Sequence, residues 1–119
     1  MGKKIVITGG LGYIGTELCK IYSGYSWNDH ITVIDNRFIS ERVSQLRNWN
    51  INFIHGDILN KDLIKKYCQD ADIVHHLAGI TDVPRVKSEA SDLKDKIIKT
   101  VAEKGTQNIL DVIKKDCKI

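Results

Sequence analysis

The sequence predicts an α/β fold, a doubly wound parallel sheet with helices on both faces. Short apolar runs rich in β-branched residues alternate with longer segments whose apolar residues recur every three or four positions. That alternation favours parallel strands joined by right-handed crossovers. A glycine-rich turn stands where the first run gives way to the first such segment.

Four strands are predicted: Lys3 to Thr8, His30 to Asp35, Ile51 to His55 and Asp72 to Leu77. The first and last are almost continuously apolar at IVIT and DIVHHLA, as suits strands covered on both faces. The first helix is marked by Ile14, Leu18, Ile21 and Tyr22, with Cys19 on its apolar side, and a later one by Leu63, Ile64 and Tyr67. A last helical segment runs from Glu89 to Lys115, with Leu93, Ile97, Ile98, Val101, Ile109, Leu110 and Ile113 at largely helical spacing. The order is therefore β-α-β-α-β-α-β-α, in one domain over residues 1–119. Residues 80 to 92, which contain the only proline, Pro84, form the one long loop, and long loops after strands tend to carry function.

At 119 residues the chain buries roughly two-thirds of its unfolded surface, enough for one core. With 42% hydrophobic and 28% charged residues it has the composition of a folded globular chain. A net charge of +3, spread without long basic runs, points to neither a nucleic-acid nor a membrane partner. Cys19, Cys68 and Cys117 have no CxxC spacing and no histidine at zinc-ligand spacing, so reduced, buried thiols and no metal are expected. The start of the chain has no apolar signal or membrane-spanning run, which predicts a cytoplasmic location.

Thr8-Gly9-Gly10-Leu11-Gly12-Tyr13-Ile14-Gly15 places Gly9, Gly12 and Gly15 three apart. The first glycine permits a tight turn, the second a close approach of backbone to a pyrophosphate, and the third close packing of the helix. The helix N-terminus then offers N–H groups and its dipole to phosphate. No GK[ST] follows, which excludes a P-loop. Asp35 ends the second strand twenty residues after Gly15, where a carboxylate accepts from both hydroxyls of an adenosine ribose. Its plainer role would be a cap for the next helix. An acid there disfavours a 2′-phosphate and so favours NAD over NADP. Arg37 offers three roles: stacking on adenine, meeting a 2′-phosphate, or facing solvent.

TGGLGYIG, VIDN at 33 to 36, HGDI at 55 to 58, HLAG at 76 to 79 and GTQNIL at 105 to 110 together resemble the extended short-chain dehydrogenase/reductase family. The nearest group is similar to the nucleotide-sugar epimerases and dehydratases of the UDP-glucose 4-epimerase type. The resemblance covers essentially the whole chain. It implies a Rossmann-like sheet in strand order 3-2-1-4 and NAD as cofactor. By position, Gly9, Gly12, Tyr13, Ile14 and Gly15 would line the pyrophosphate, and Asp35 with Asn36 would hold the adenosine ribose, Arg37 standing beside them. Asp57 and Ile58 would meet the adenine, while Leu77, Ala78 and Gly79 would run beside the ribose and pyrophosphate, with Thr81 near the nicotinamide. The plainer roles are a helix-initiating turn for Asp57 and close packing for Ala78 and Gly79.

Two departures matter. Ala102 stands where the resemblance expects asparagine, in Ala102-Glu103-Lys104-Gly105-Thr106. The family's catalysis uses a Ser or Thr with Tyr-x-x-x-Lys, a tyrosine of lowered pKa moving the hydroxyl proton during hydride transfer. None of Tyr13, Tyr22, Tyr25 or Tyr67 has a lysine four residues on. The chain is thus expected to bind NAD but to lack catalysis by itself, a nucleotide-sugar substrate belonging to a longer parent. The alternative is a stand-alone nucleotide-binding or interaction protein that forms homo-oligomers through the open edge of its fourth strand. His75 and His76, adjacent on a strand, point to opposite faces and read as core or edge histidines. Trp27 and Trp49 read as boundary packing, and the lysines of the last helix, from Lys94 to Lys115, as a solvated face.

Overall fold

The computed structural model describes residues 2–25, 29–79 and 89–119. The elements are β1 (Lys4–Thr8), α1 (Tyr13–Tyr25), β2 (His30–Asp35), α2 (Ser40–Asn48), β3 (Asn52–His55), α3 (Lys61–Cys68), β4 (Ile73–His76) and α4 (Glu89–Val112). The four strands pair in parallel in the order β3-β2-β1-β4, as expected. Val6 sits opposite Thr32 on one side and Val74 on the other.

Strand alternation divides the core into two layers, one on each face of the sheet. Ile5, Ile7, Ile31 and Val33 pack with Cys19 of α1 and Val43 and Leu46 of α2. Val6, Ile34 and Val74 point the other way and pack with Ile64 and Cys68 of α3 and Ile109 of α4. Helices therefore cover both faces. Each fully buried isoleucine or valine removes enough apolar surface to contribute about 1.5–3 kcal/mol.

The helical stripes differ from those expected. Ile14 and Ile21 are 73% and 57% exposed, while Gly15 and Cys19 are buried and Tyr22 half-buried. The inward face of α1 runs through Gly15, which lets the helix sit closely on the glycine turn. In α4, Ile97 and Leu110 are exposed and Gly105 and Ile109 are buried. A Cβ on Gly105 would lie 2.3 Å from Ile58 Cδ1, so the glycine brings α4 against the segment after β3.

Three further expectations are corrected. Asp35 does not cap α2, whose N-cap is Ile39. The last helix ends at Val112 and not at Lys115, and Lys114, beyond it and still solvent-accessible, pairs with Asp72 at 2.6 Å. The β4 edge is not wholly open: Lys118 N–H donates to Asp72 O (3.0 Å) and its carbonyl accepts from Val74 N–H (2.8 Å), a parallel bridge. Trp49 is half-buried against the first core layer, as boundary packing predicts. Trp27, Pro84 and loop positions 80 to 88 lie outside the described residues, while 89 to 92 belong to α4. Among the described residues no helix is long and apolar enough to cross a membrane.

Candidate functional site

All four strands point their C-terminal ends to one rim, where open parallel sheets bind ligands. β1 ends at Thr8 and the chain turns sharply at Gly9, whose φ of 72° lies in the left-handed region that glycine alone enters freely. A Cβ there would come within 2.7 Å of Ala78 N, so β4's continuation passes directly over the turn. Gly15 is as tightly held, since a Cβ would lie 2.6 Å from Gly9 O and Gly10 Cα. The third glycine thus seats α1 on the turn itself. The first intrahelical bond is Thr16 N–H to Gly12 O at 2.8 Å. The N–H groups of residues 13 to 15 precede it and remain for a ligand.

The end of β2 is charged. Asp35 has a side chain only 2% exposed, and its carboxylate receives four donors. Oδ1 accepts from Arg37 N–H (2.9 Å) and Nε (3.1 Å), and Oδ2 from Leu11 N–H (3.1 Å) and Arg37 Nη2 (3.2 Å). Leu11 is held from its other side too, its carbonyl accepting from Arg42 Nη1. Asp35 therefore ties the glycine turn to β2, and Arg37 folds back over it while its side chain stays 53% exposed. Arg42 also lies over the Tyr13 ring, 5.3 Å from its centroid.

The end of β3 turns into α3 through Gly56, Asp57 and Ile58. Asp57 Oδ1 accepts from Leu59 N–H (2.9 Å), a turn that leads to the Asn60 N-cap of α3. Asp57 is exposed and Ile58 buried. Asn108 of α4 donates from Nδ2 to Ile58 O at 3.0 Å, fixing this segment against the last helix.

The end of β4 is neutral. Thr8 Oγ1, fully buried, accepts from Ala78 N–H (3.2 Å) and meets His76 Nδ1 at 2.7 Å. His76 Nε2 meets Thr106 Oγ1 of α4 at 3.1 Å. A neutral imidazole satisfies the whole set, with Thr8 donating to Nδ1 and Nε2–H donating to Thr106. Burial holds the His76 pKa below its ordinary value. His75 points to the opposite face, where its Nε2 meets Tyr22 OH at 2.6 Å, and burial lowers its pKa as well. Cys19 and Cys68 are free, buried thiols whose pKa values burial pushes up to about 11, and Cys117 is free and half-buried.

These strand ends enclose one cleft of about 580 Å³. The glycine turn and α1 contribute Gly9, Gly12, Tyr13, Ile14 and Gly15, and the end of β2 contributes Asp35, Asn36 and Arg37. Asp57 and Ile58 come from the end of β3, and Leu77, Ala78 and Gly79 from that of β4. Every expected site residue in the described part of the chain is among them; Thr81 lies outside it. Sequence reasoning missed Gly56 and Val101, which also line the cleft. Gly56 is inside the HGDI stretch, and Val101 precedes the anomalous Ala102, so both were adjacent to a visible signal. The His76 bridge had no local signal.

A parallel sheet in this order, with a glycine turn after its first strand and an acid ending its second, defines a Rossmann-like α/β protein. Residues 6–118 match the 3-beta hydroxysteroid dehydrogenase/isomerase family, and the chain belongs to that family. Among solved structures it resembles UDP-glucose-4-epimerase from Stenotrophomonas maltophila, with bound NAD and formylated UDP-arabinopyranose. The TM-score is 0.73 and the identity 20%, over 92% of this chain and 33% of that one. It likewise resembles dTDP-glucose 4,6-dehydratase from Streptomyces venezuelae with NAD bound, at a TM-score of 0.74 and 21% identity over 92% of this chain and 35% of that one. An uncharacterized membrane protein of Methanocaldococcus jannaschii is 29% identical over 112 residues, 92% of this chain and 32% of that protein. The chain thus spans about a third of the length of these relatives.

Proposed function

We propose that these residues form the adenosine and pyrophosphate half of an NAD(H) site, within one dinucleotide-binding domain of a longer epimerase- or dehydratase-type protein. The observation that carries this reading is the cleft in which Gly9 turns the backbone at φ 72° beside the start of α1 while Asp35, at the end of the neighbouring strand, accepts from Leu11 N–H of that turn. The residues fit the cofactor. Gly12 leaves room over the turn, since even a Cβ would meet Gly9 O at 3.3 Å, and the N–H groups at the head of α1 suit a pyrophosphate. Asp35 and Asn36 would hold the adenosine ribose, Asp57 and Ile58 the adenine, and Leu77, Ala78 and Gly79 the chain of the cofactor towards Thr81.

Bound NAD supplies a hydride acceptor for oxidation of a substrate hydroxyl. Within these 119 residues no tyrosine has a lysine four positions on, so this part of the protein binds and orients and does not move the substrate proton. The likeness to the epimerase and dehydratase supports a nucleotide sugar as substrate of the longer protein. Free thiols at Cys19, Cys68 and Cys117 support a reducing, cytoplasmic setting. Oligomerisation through the β4 edge is not favoured, because Lys118 already occupies part of that edge.

Calorimetric titration with NAD and with ADP-ribose tests the reading. Both should bind, and Asp35→Ala should weaken both by about tenfold or more, as loss of charge-assisted hydrogen bonds does. No heat of binding at millimolar NAD overturns it.

A further inference from the structure

The glycine turn is gripped from α2 as well as from β2, and the inference drawn from that grip rests on the dinucleotide reading of the cleft. Leu11, in the middle of the turn, is fully buried. Its N–H donates to Asp35 Oδ2 at 3.1 Å, and its carbonyl accepts from Nη1 of Arg42, the third residue of α2. The far end of the Leu11–Gly12 peptide is occupied too, Gly12 N–H donating to Gly9 O at 3.1 Å. A peptide unit is planar, so holding both its carbonyl and its N–H fixes the plane. The residues that follow, 13 to 15, head α1 and line the cleft.

Arg42 acts on the same place a second time. Tyr13 lines the cleft and is 84% exposed, and the Arg42 guanidinium lies 5.3 Å from its ring centroid, a cation–π contact. Val43 and Leu46 seat α2 in the core, so the half-buried Arg42 works from a firm support. A buried carbonyl deprived of its donor has to find another partner. One that tilts towards a diphosphate repels it. We propose that Arg42 is a positioning residue for the diphosphate of the cofactor. From α2 it holds the Leu11 carbonyl and the Tyr13 ring, and so aims the N–H groups at the head of α1 without touching the ligand itself.

The test joins amide hydrogen exchange of the ligand-free chain to calorimetry with ADP-ribose, which carries the diphosphate. In Arg42→Ala, exchange at Leu11 and Gly12 N–H should quicken by about tenfold or more while the amides of β1 and β2 keep their rates, as loss of a hydrogen bond from a charged donor predicts. ADP-ribose should bind about tenfold more weakly. Arg42→Lys, which keeps a cationic donor for the carbonyl, should recover part of both effects. Arg42→Met, which keeps the apolar stem, should match Arg42→Ala, and it serves in its place if the alanine variant does not fold. Unaltered ADP-ribose affinity in a folded Arg42→Ala or Arg42→Met overturns the role of Arg42, as does an Arg42→Lys no better than they are. Weaker binding with unaltered exchange also overturns it, because that marks a direct contact with phosphate. Faster exchange throughout β1 and β2 overturns it as well, because that marks a general loosening. Each of these results leaves the dinucleotide reading intact, whereas failure of ADP-ribose to bind the wild type overturns the two together.

Discussion

The strands on either side of β1 end in opposite kinds of chemistry. β2 ends in a buried carboxylate whose acceptor sites are filled largely by one half-exposed cation, Arg37. β4 ends in a neutral chain from Ala78 N–H through Thr8 and His76 to Thr106, with no formal charge. Both reach over the glycine turn, one through Leu11 N–H and the other through the backbone at Ala78. The charged wall is adjustable, because its cation faces solvent and the pair is partly screened. The neutral wall is anchored at Thr8, whose fully buried hydroxyl would be left unpaired by a broken bond, while its far end at Thr106 is exposed.

The largest effect should come from the point where the neutral wall meets the turn. Gly9→Ala drives a Cβ into Ala78 backbone and keeps a positive φ, at a combined cost of roughly 2–4 kcal/mol. Urea denaturation measures it, and a stability equal to wild type would show that the β4 segment yields easily. Next in size, Thr8→Val keeps the side-chain shape but strands Ala78 N–H and His76 Nδ1, for a loss of about 1–3 kcal/mol. If the same denaturation series found no loss, the neutral wall would be no more rigid than the charged one.

The smallest effect is a pH dependence that belongs to the neutral wall. Burial places the His76 pKa in the folded chain below the ordinary 6.5, so between the two values the unfolded chain holds a proton that the folded chain does not. Stability from this source is complete above pH 6.5 and falls as pH drops through 6.5 towards the folded value. His76→Asn should reduce the slope of stability against pH, and His75, shifted in the same direction, should account for part of the remainder. An unaltered slope in His76→Asn would separate the bridge from the titration.

Much of the cleft was legible because its residues have local duties. Gly9 is required by one turn, Gly15 by the seating of one helix, and Asp35 is the last residue of an apolar run. Each duty leaves a spacing or a composition in the sequence. The amphipathic stripes were less legible, since α1 packs through Gly15 and Cys19 and leaves the larger Ile14 and Ile21 exposed. Hydrophobicity marks what gains by burial, whereas closeness of approach is decided by the smallest residue at the contact. Arg37 illustrates the remaining gap. Its three sequence-based roles were stacking, phosphate contact and solvent exposure, and its pairing with a carboxylate two residues away was not among them.

By itself the sequence determined the alternation of strands and helices, the glycine turn and the rim on which an acid follows it, because periodicity and backbone sterics act over a few residues. Only the tertiary structure decided which groups meet across that rim. Thr8 and His76 are 68 residues apart, His76 and Thr106 are 30 apart, and Lys118 reaches back to β4. Such contacts form when packed layers bring together groups distant in sequence, a buried one such as Thr8 having to find a partner there, and no local pattern names that partner in advance.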